Sequence, residues 1–231
     1  MRHLQEDPDR RPPQDTGQPT ATEAGILIPP EALWEQAVEE LLRDDLAVID
    51  AFIPEATVAS LREALLQSWD QGEFRRAGIG HQSGFHRNAN VRSDHIQWVT
   101  REELPADGHL FFDRLDDLTT YLNQTCFLGI RRRELHFAVY PPGAFYQRHL
   151  DVFQDSSARK LSAICYLNEA WQSDDGGQLR IYPSCREILP VGGRLVLFRS
   201  ELLEHEVLPA RRERYSLTGW LRNDDPVLPA K

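Results

Sequence analysis

Everything after Glu134 is cut into short segments by turn residues, and this spacing constrains the fold more than any other feature of the chain. The segments LHFAVY, YQRHLDVF, LSAICYL, GQLRIY, GRLVLF, EHEVL and YSLTGWL are rich in β-branched and aromatic residues. PPG at 141–143, DDGG at 174–177 and VGG at 191–193 separate them. Short strands with a turn every 8 to 12 residues or so predict a β-sandwich or barrel.

The preceding half has a helical period instead. Pro29 and Pro30 lead into ALWEQAVEELLRD, where Leu33, Ala37, Val38, Leu41 and Leu42 share a face. A short strand, LAVIDAF at 46–52, follows. Pro54 then opens a second helix with Val58, Leu61, Leu65 and Leu66 inward, and a third is predicted over 109–126. Helices first and strands second make the class α+β, with the helices packed on one face of the strand layer. Residues 1–25 hold four prolines and only Met1 and Leu4 as large apolar groups, so they read as a disordered arm. The expected organisation is that arm followed by one domain over 26–231, with helical support at 30–126 and a strand core at about 134–222.

Composition excludes several classes of function. With 5 Trp, 10 Phe and 6 Tyr the chain has ample area for a core. A net charge of −10 argues against a protein that tracks nucleic-acid phosphates. No apolar run is long enough to span a bilayer, and the N-terminal residues lack the apolar stretch of a secretory signal. Cys126, Cys165 and Cys185 form no CxxC pair and are expected to be small buried hydrophobes in a reducing compartment, the cytoplasm.

The usual phosphate and nucleophile signatures are missing: GIGHQSG at 78–84 fails the dinucleotide-binding spacing, and no GxSxG elbow occurs. His149 and Asp151, two apart in a predicted strand, point to one face. Alone that pair is a weak signal, but His205 lies 54 positions after Asp151, flanked by apolar residues. Two His and one carboxylate in this order are the ligand set of the non-haem iron facial triad, which leaves positions open for a chelating substrate and O2. EHEVLPARRERYSLTGW reads as a hairpin that turns near Pro209 to Arg212, so that His205 and Arg214 would face one cavity. An inward Arg214 without an internal acid suits a carboxylate ligand, which its planar fork binds bidentately.

The run HLD…AICYLNEAW…GGQLRIYP…ILPVGGRLVLF…HEVLPARRERYSLTGW resembles the 2-oxoglutarate- and iron(II)-dependent prolyl hydroxylases. It is most similar to the branch that holds the hypoxia-inducible-factor prolyl hydroxylases and their bacterial relatives. The likeness covers roughly 30–222 and includes RSDHIQW at 92–98; the collagen type would place Lys where Arg214 stands. The resemblance implies a double-stranded β-helix (jelly-roll) core. It further implies Fe(II) on His149, Asp151 and His205, with the distal carboxylate of 2-oxoglutarate on Arg214 and Tyr166. Tyr140, Thr218 and Trp220 would complete the cosubstrate pocket, and Tyr146, Arg92 and Asp94 would lie beside the substrate. O2 would be the second cosubstrate, ascorbate an accessory reductant, and succinate and CO2 the products, with oxygen sensing a corollary.

The expected partner is a protein that presents a proline in a loop, with a translation factor such as elongation factor Tu as the bacterial analogue, acted on by a monomer that binds neither nucleic acid nor membrane. Residues 72–95 carry Arg75, Arg76, Arg87 and Arg92 against Glu73 and Asp94. This basic segment would form a loop over the site and suit an acidic stretch around the target. The rival readings are an oxygenase of a free amino acid or other small molecule, and a cupin-like metal-binding sensor without turnover. A halogenase is disfavoured because Asp151 stands where chloride would bind.

Overall fold

The computed structural model describes residues 30–78, 90–151 and 158–225. The expected arm at 1–25 and part of the 72–95 segment, Arg87 included, lie outside them. Helix α1 (Pro30–Asp44) starts on a proline, carries Glu31 in its first turn and Arg43 in its last, and so complements its dipole. Strand β1 (Leu46–Ile49) leads to helix α2 (Glu55–Asp70), which buries Val58, Leu61 and Leu65. The two-residue strand β2 (Arg75–Arg76) and β3 (His95–Val99) precede helix α3 (His109–Cys126). α3 ends at Phe127 in the left-handed conformation, and the Asn123 amide closes the turn by donating to the Ile130 carbonyl and accepting from its N–H.

Eight strands follow: β4 (Arg132–Tyr140), β5 (Tyr146–His149), β6 (Arg159–Tyr166), β7 (Leu179–Ile181), β8 (Arg186–Ile188), β9 (Leu195–Arg199), β10 (His205–Val207) and β11 (Arg214–Arg222). They join two sheets, a major one in the order β1-β9-β6-β11-β4-β3-β2 and a minor one in the order β5-β10-β7-β8. Every pairing is antiparallel. This is the expected α+β double-stranded β-helix with helices on one face.

Alternation along the two longest strands divides the interior. Leu135, Phe137 and Val139 of β4 and Leu217 and Leu221 of β11 pack with Phe52, Leu61, Phe111 and Leu115 under the helices. The intervening Ala138 and Tyr140 join Ile164, Tyr166, Phe198 and Val207 between the sheets. Within this sheet β11 and β4 run close together at Gly219, where an added Cβ would lie 1.8 Å from the carbonyl oxygen of Glu134 on the neighbouring strand.

Several expectations need correction. In α1 the inward positions are Trp34, Ala37 and Leu41, spaced three and four apart, while Leu42 is 77% exposed. Strand β5 stops at His149, so Asp151 lies in a bend beyond it. His205 and Arg214 are not hairpin partners: β10 pairs with β5 and β7, whereas β11 runs between β4 and β6 in the other sheet. They face one cavity from opposite sides, because Ala210 makes only a single bridge, to Gly176, and the chain then changes sheets. Strands β2, β3 and β8 were not expected; they are short, and β2 is wholly exposed, so periodicity carries little signal there. Of the cysteines only Cys165 is buried; Cys126 and Cys185 are half-buried, and all three are free.

Candidate metal centre

The two histidines are cross-strand partners, His149 at the end of β5 and His205 at the start of β10. Asp151 reaches them from the bend that follows β5. Its Oδ1 is 3.5 Å from His149 Nε2 and its Oδ2 is 3.8 Å from His205 Nε2. One ligand atom from each of the three residues lies within 4.8 Å of the others, close enough to share an ion.

Each imidazole is oriented from behind. Nδ1 of His149 lies 2.7 Å from the Gln147 carbonyl and Nδ1 of His205 lies 3.2 Å from that of Leu203. Donation from Nδ1 fixes the tautomer whose Nε2 lone pair faces Asp151. Burial lowers the His205 pKa to about 4, against the opposing pull of Asp151, so this ring is neutral at pH 7. For Asp151 burial acts upward, but His205, His149 and the Ser162 hydroxyl outweigh it and hold the carboxyl well below the usual range. An ionised Asp151 beside a neutral His205 suits the binding of a divalent metal.

Ring stacking extends the site outward. Tyr146 stacks on His149 with centroids 3.5 Å apart and planes 16° apart. The Arg92 guanidinium lies 4.2 Å over the other residue of that column, Tyr146, and binds Asp94 through two hydrogen bonds of 2.8 and 2.6 Å. Asp94 is 2% exposed and committed to this ion pair. Burial raises the Tyr146 pKa to about 12, so its hydroxyl stays protonated.

Deeper in the cavity, Arg214 is paired in register with Tyr140 and its guanidinium sits 5.0 Å from that ring and 4.9 Å from the Tyr166 ring. Its Nε donates to the Gly177 carbonyl at 2.9 Å. Gly177 has a positive φ of 69°, and a Cβ there would come within 3.2 Å of Arg214 Cδ. Arg214 Nη2 and the Tyr166 hydroxyl are both buried without a hydrogen-bond partner among the described residues. Burial raises the Tyr166 pKa over the opposing Arg214 charge, which keeps the hydroxyl a donor. Such groups cost free energy when left unmatched, and their chemistry, a cationic fork beside a phenol, fits a carboxylate.

Thr218 and Trp220 face the same cavity, as their parity with Arg214 requires. Thr218 Oγ1 is 2.9 Å from Ser216 Oγ, and Trp220 Nε1 is buried without a partner. The cavity holds about 1050 Å³ and runs past the triad to a wall of Trp98, His136 and Trp220. Arg75 and Arg76 are exposed at its rim, while Arg92 is neutralised by Asp94.

Sequence reasoning missed three groups of residues. His136 is 4% exposed, packed edge-on by Trp98 at 5.1 Å and by a tilted Trp220 ring at 5.6 Å; burial lowers its pKa to about 4. Its shared parity with Tyr140 was the available signal. Ser162, which donates to Asp151 Oδ2 at 2.6 Å, shares the parity of Tyr166 in the same way. Arg159 donates to the Asp151 main-chain carbonyl at 2.9 Å, a contact that no side-chain pattern announces.

A jelly roll that carries a His–Asp–His set at its mouth, with buried unmatched donors behind it, has the architecture of a mononuclear metal-dependent oxygenase. Residues 135–222 match the 2OG-Fe(II) oxygenase superfamily. A crystal structure of a Pseudomonas putida prolyl-4-hydroxylase is 39% identical, with a TM-score of 0.74 over 83% of this chain and all of that one. A Trichoplax adhaerens prolyl hydroxylase, solved with a peptide fragment of the hypoxia-inducible factor oxygen degradation domain, is 28% identical, with a TM-score of 0.69 over 84% of this chain and 90% of that one. Human Egl nine homolog 1 is 29% identical over 85% of this chain. The Caenorhabditis elegans hypoxia-inducible factor prolyl hydroxylase is 27% identical over 90% of it. The chain spans 30% of the length of the nematode protein and 48% of the human one.

The chain belongs to the 2OG-Fe(II) oxygenase superfamily, whose members use Fe(II), 2-oxoglutarate and O2, and the His149–Asp151–His205 set is its iron site.

Proposed function

We propose that this chain hydroxylates a prolyl residue in a protein substrate and releases succinate and CO2. The observation that carries the reading is the pair of buried unmatched donors, Arg214 Nη2 and the Tyr166 hydroxyl, behind the triad in a cavity of about 1050 Å³. A metal-only sensor has no use for such a receptor, and the cosubstrate alone would leave most of that volume unfilled.

Arg214 and Tyr166 hold the distal carboxylate of 2-oxoglutarate, with the Tyr140 ring against the guanidinium and Thr218 and Trp220 along the chain of the acid. Iron and 2-oxoglutarate, when bound, supply the O2 chemistry. The protein contributes ligand protonation, orientation and a dry wall of Ile164, Leu179 and Val207. Tyr146 and the Arg92–Asp94 pair border the substrate, and the protonated Tyr146 phenol offers a hydrogen bond to a peptide carbonyl. Arg75 and Arg76 at the rim of an otherwise acidic protein suit an acidic stretch beside the target proline. Elongation factor Tu is the first candidate substrate, ascorbate the accessory reductant and the cytoplasm the compartment, consistent with three free cysteines. The catalytic unit acts as a monomer over 26–231. Among the described residues no helix is long and apolar enough to cross a membrane.

The test is aerobic incubation with Fe(II), 2-oxoglutarate and host lysate, followed by mass spectrometry for prolines heavier by one oxygen atom. A modified proline that depends on Arg214 supports the proposal. Succinate release driven by free amino acids, with no modified protein, would establish the small-molecule reading in its place.

A further inference from the structure

Of the three iron ligands, Asp151 is the one that no sheet ladder positions. His149 and His205 lie opposite each other in β5 and β10, but Asp151 stands two residues beyond the end of β5. Among the described residues, the hydrogen bond to its main chain comes from the Arg159 guanidinium, at 2.9 Å from the carbonyl. Its carboxylate is held by Ser162, and Ser162 Oγ lies 2.8 Å from Ser200 Oγ. Both serines are almost fully buried, at 1% and 0% exposure.

An ionised carboxylate only accepts, so Ser162 must donate to Asp151 and accept from Ser200. The hydroxyl chain therefore runs in one direction, toward Oδ2, and leaves Oδ1 free of hydroxyl donors. Packing alone does not call for two hydroxyls in this place, since burying them without such partners is unfavourable. Arg159 is anchored in turn: its guanidinium carbon lies 3.5 Å over the Trp220 ring and its Nη2 is 3.9 Å from Glu134. Glu134 is itself held by Arg132 and Arg222 at 2.8 and 3.1 Å.

We propose that Arg159 and the Ser162–Ser200 pair are positioning residues for the iron, which hold Asp151 in place from the main-chain side and from the carboxylate side. The inference rests on the triad as the metal site and is independent of which substrate is hydroxylated. Outer partners of metal ligands set affinity by roughly 10- to 100-fold.

The experiment measures Mn(II) binding to the full chain without cosubstrate, by titration calorimetry, alongside the melting temperature of the metal-free protein. Ser162→Ala and Arg159→Ala should each weaken Mn(II) binding by about 10- to 100-fold, with Ser162→Ala melting like wild type, and Ser162→Thr should restore most of the affinity. Wild-type Mn(II) affinity in both alanine variants, or a threonine variant no better than alanine, would overturn the proposal. A melting temperature lowered at unchanged affinity assigns these residues to the fold alone and also overturns it. If Arg159→Ala does not fold, the serine series decides. His149→Ala separates the two readings: its loss of Mn(II) binding verifies the triad, whereas retained binding would sink the triad and this inference together.

Discussion

The two faces of the major sheet obey different rules. Under the helices, Phe137, Leu217, Leu221, Leu115 and Phe111 are 0–1% exposed and wholly apolar. On the cavity face, one residue away along the same strands, Arg214, Tyr166, His136 and Trp220 bury polar atoms that no described protein group satisfies. Native interiors hold few such atoms; His95 Nδ1 and Gln97 Oε1, on β3 opposite Val139 and Phe137, are the two found off the cavity face, and the four on it mark where a ligand would satisfy the fold. The helical layer supplies the stability that tolerates this.

Four substitutions or conditions test the contrast. The largest effect belongs to Asp151→Ala, which should abolish iron-dependent succinate release without collapsing the fold; turnover at the wild-type rate would refute the triad. On the helical face, Leu115→Ala should lower stability in denaturant melts by about 2.7 to 5 kcal/mol, with Mn(II) affinity and the 2-oxoglutarate requirement unchanged. A comparable shift in either binding property would show that the faces are not independent.

The third test is acid titration of the metal-free protein. The folded-state pKa of His136 is lowered from 6.5 to about 4 by burial. As pH falls, the unfolded chain therefore takes up this proton first. Stability from His136 is intact above 6.5 and is lost progressively toward 4, by at most about 3 kcal/mol. His136→Phe should flatten the melting-temperature profile across that window, leaving the parallel contribution of His205; an unchanged slope would show that His136 does not titrate with unfolding. The smallest effect is expected for Arg214→Ala, which should raise the 2-oxoglutarate requirement by about 1.5 to 3 kcal/mol, or roughly 10- to 150-fold. The buried Nη2 has no partner to lose among the described residues, so the loss of metal-free stability should be confined to the Nε bond to Gly177 and the ring contacts, and should stay below that of Leu115→Ala. A fall as large as that of Leu115→Ala would place Arg214 with the structural face.

Much of this arrangement was legible beforehand. The third helix runs over 109–126 as expected, since Phe111, Phe112, Leu115, Leu118 and Leu122 repeat at helical spacing. The triad was readable because its two histidines and one carboxylate occur in the order HxD…H, and the inward parity of Arg214 was readable from its strand. Ser162 and His136 were within reach through strand parity, but a serine or histidine in a half-apolar strand has many ordinary explanations. Arg159 was not, since its partner is a main-chain carbonyl. The charge of the 72–95 segment was read as a sum, whereas pairing between Arg92 and Asp94 removes one of its cations from the rim.

The strand period, the inward faces of the second and third helices and the identity of the ligand residues are local properties, set by side chains two to four positions apart, and the sequence alone determined them. Which sheet each strand enters is a different kind of fact. β10 and β11 have the same alternation and are separated by six residues, yet they lie in opposite sheets. A two-residue period states which side chains share a face and says nothing about which strand lies alongside. Long-range burial makes that choice, and it turned an expected hairpin into two walls with the metal-site histidines on one and Arg214 on the other.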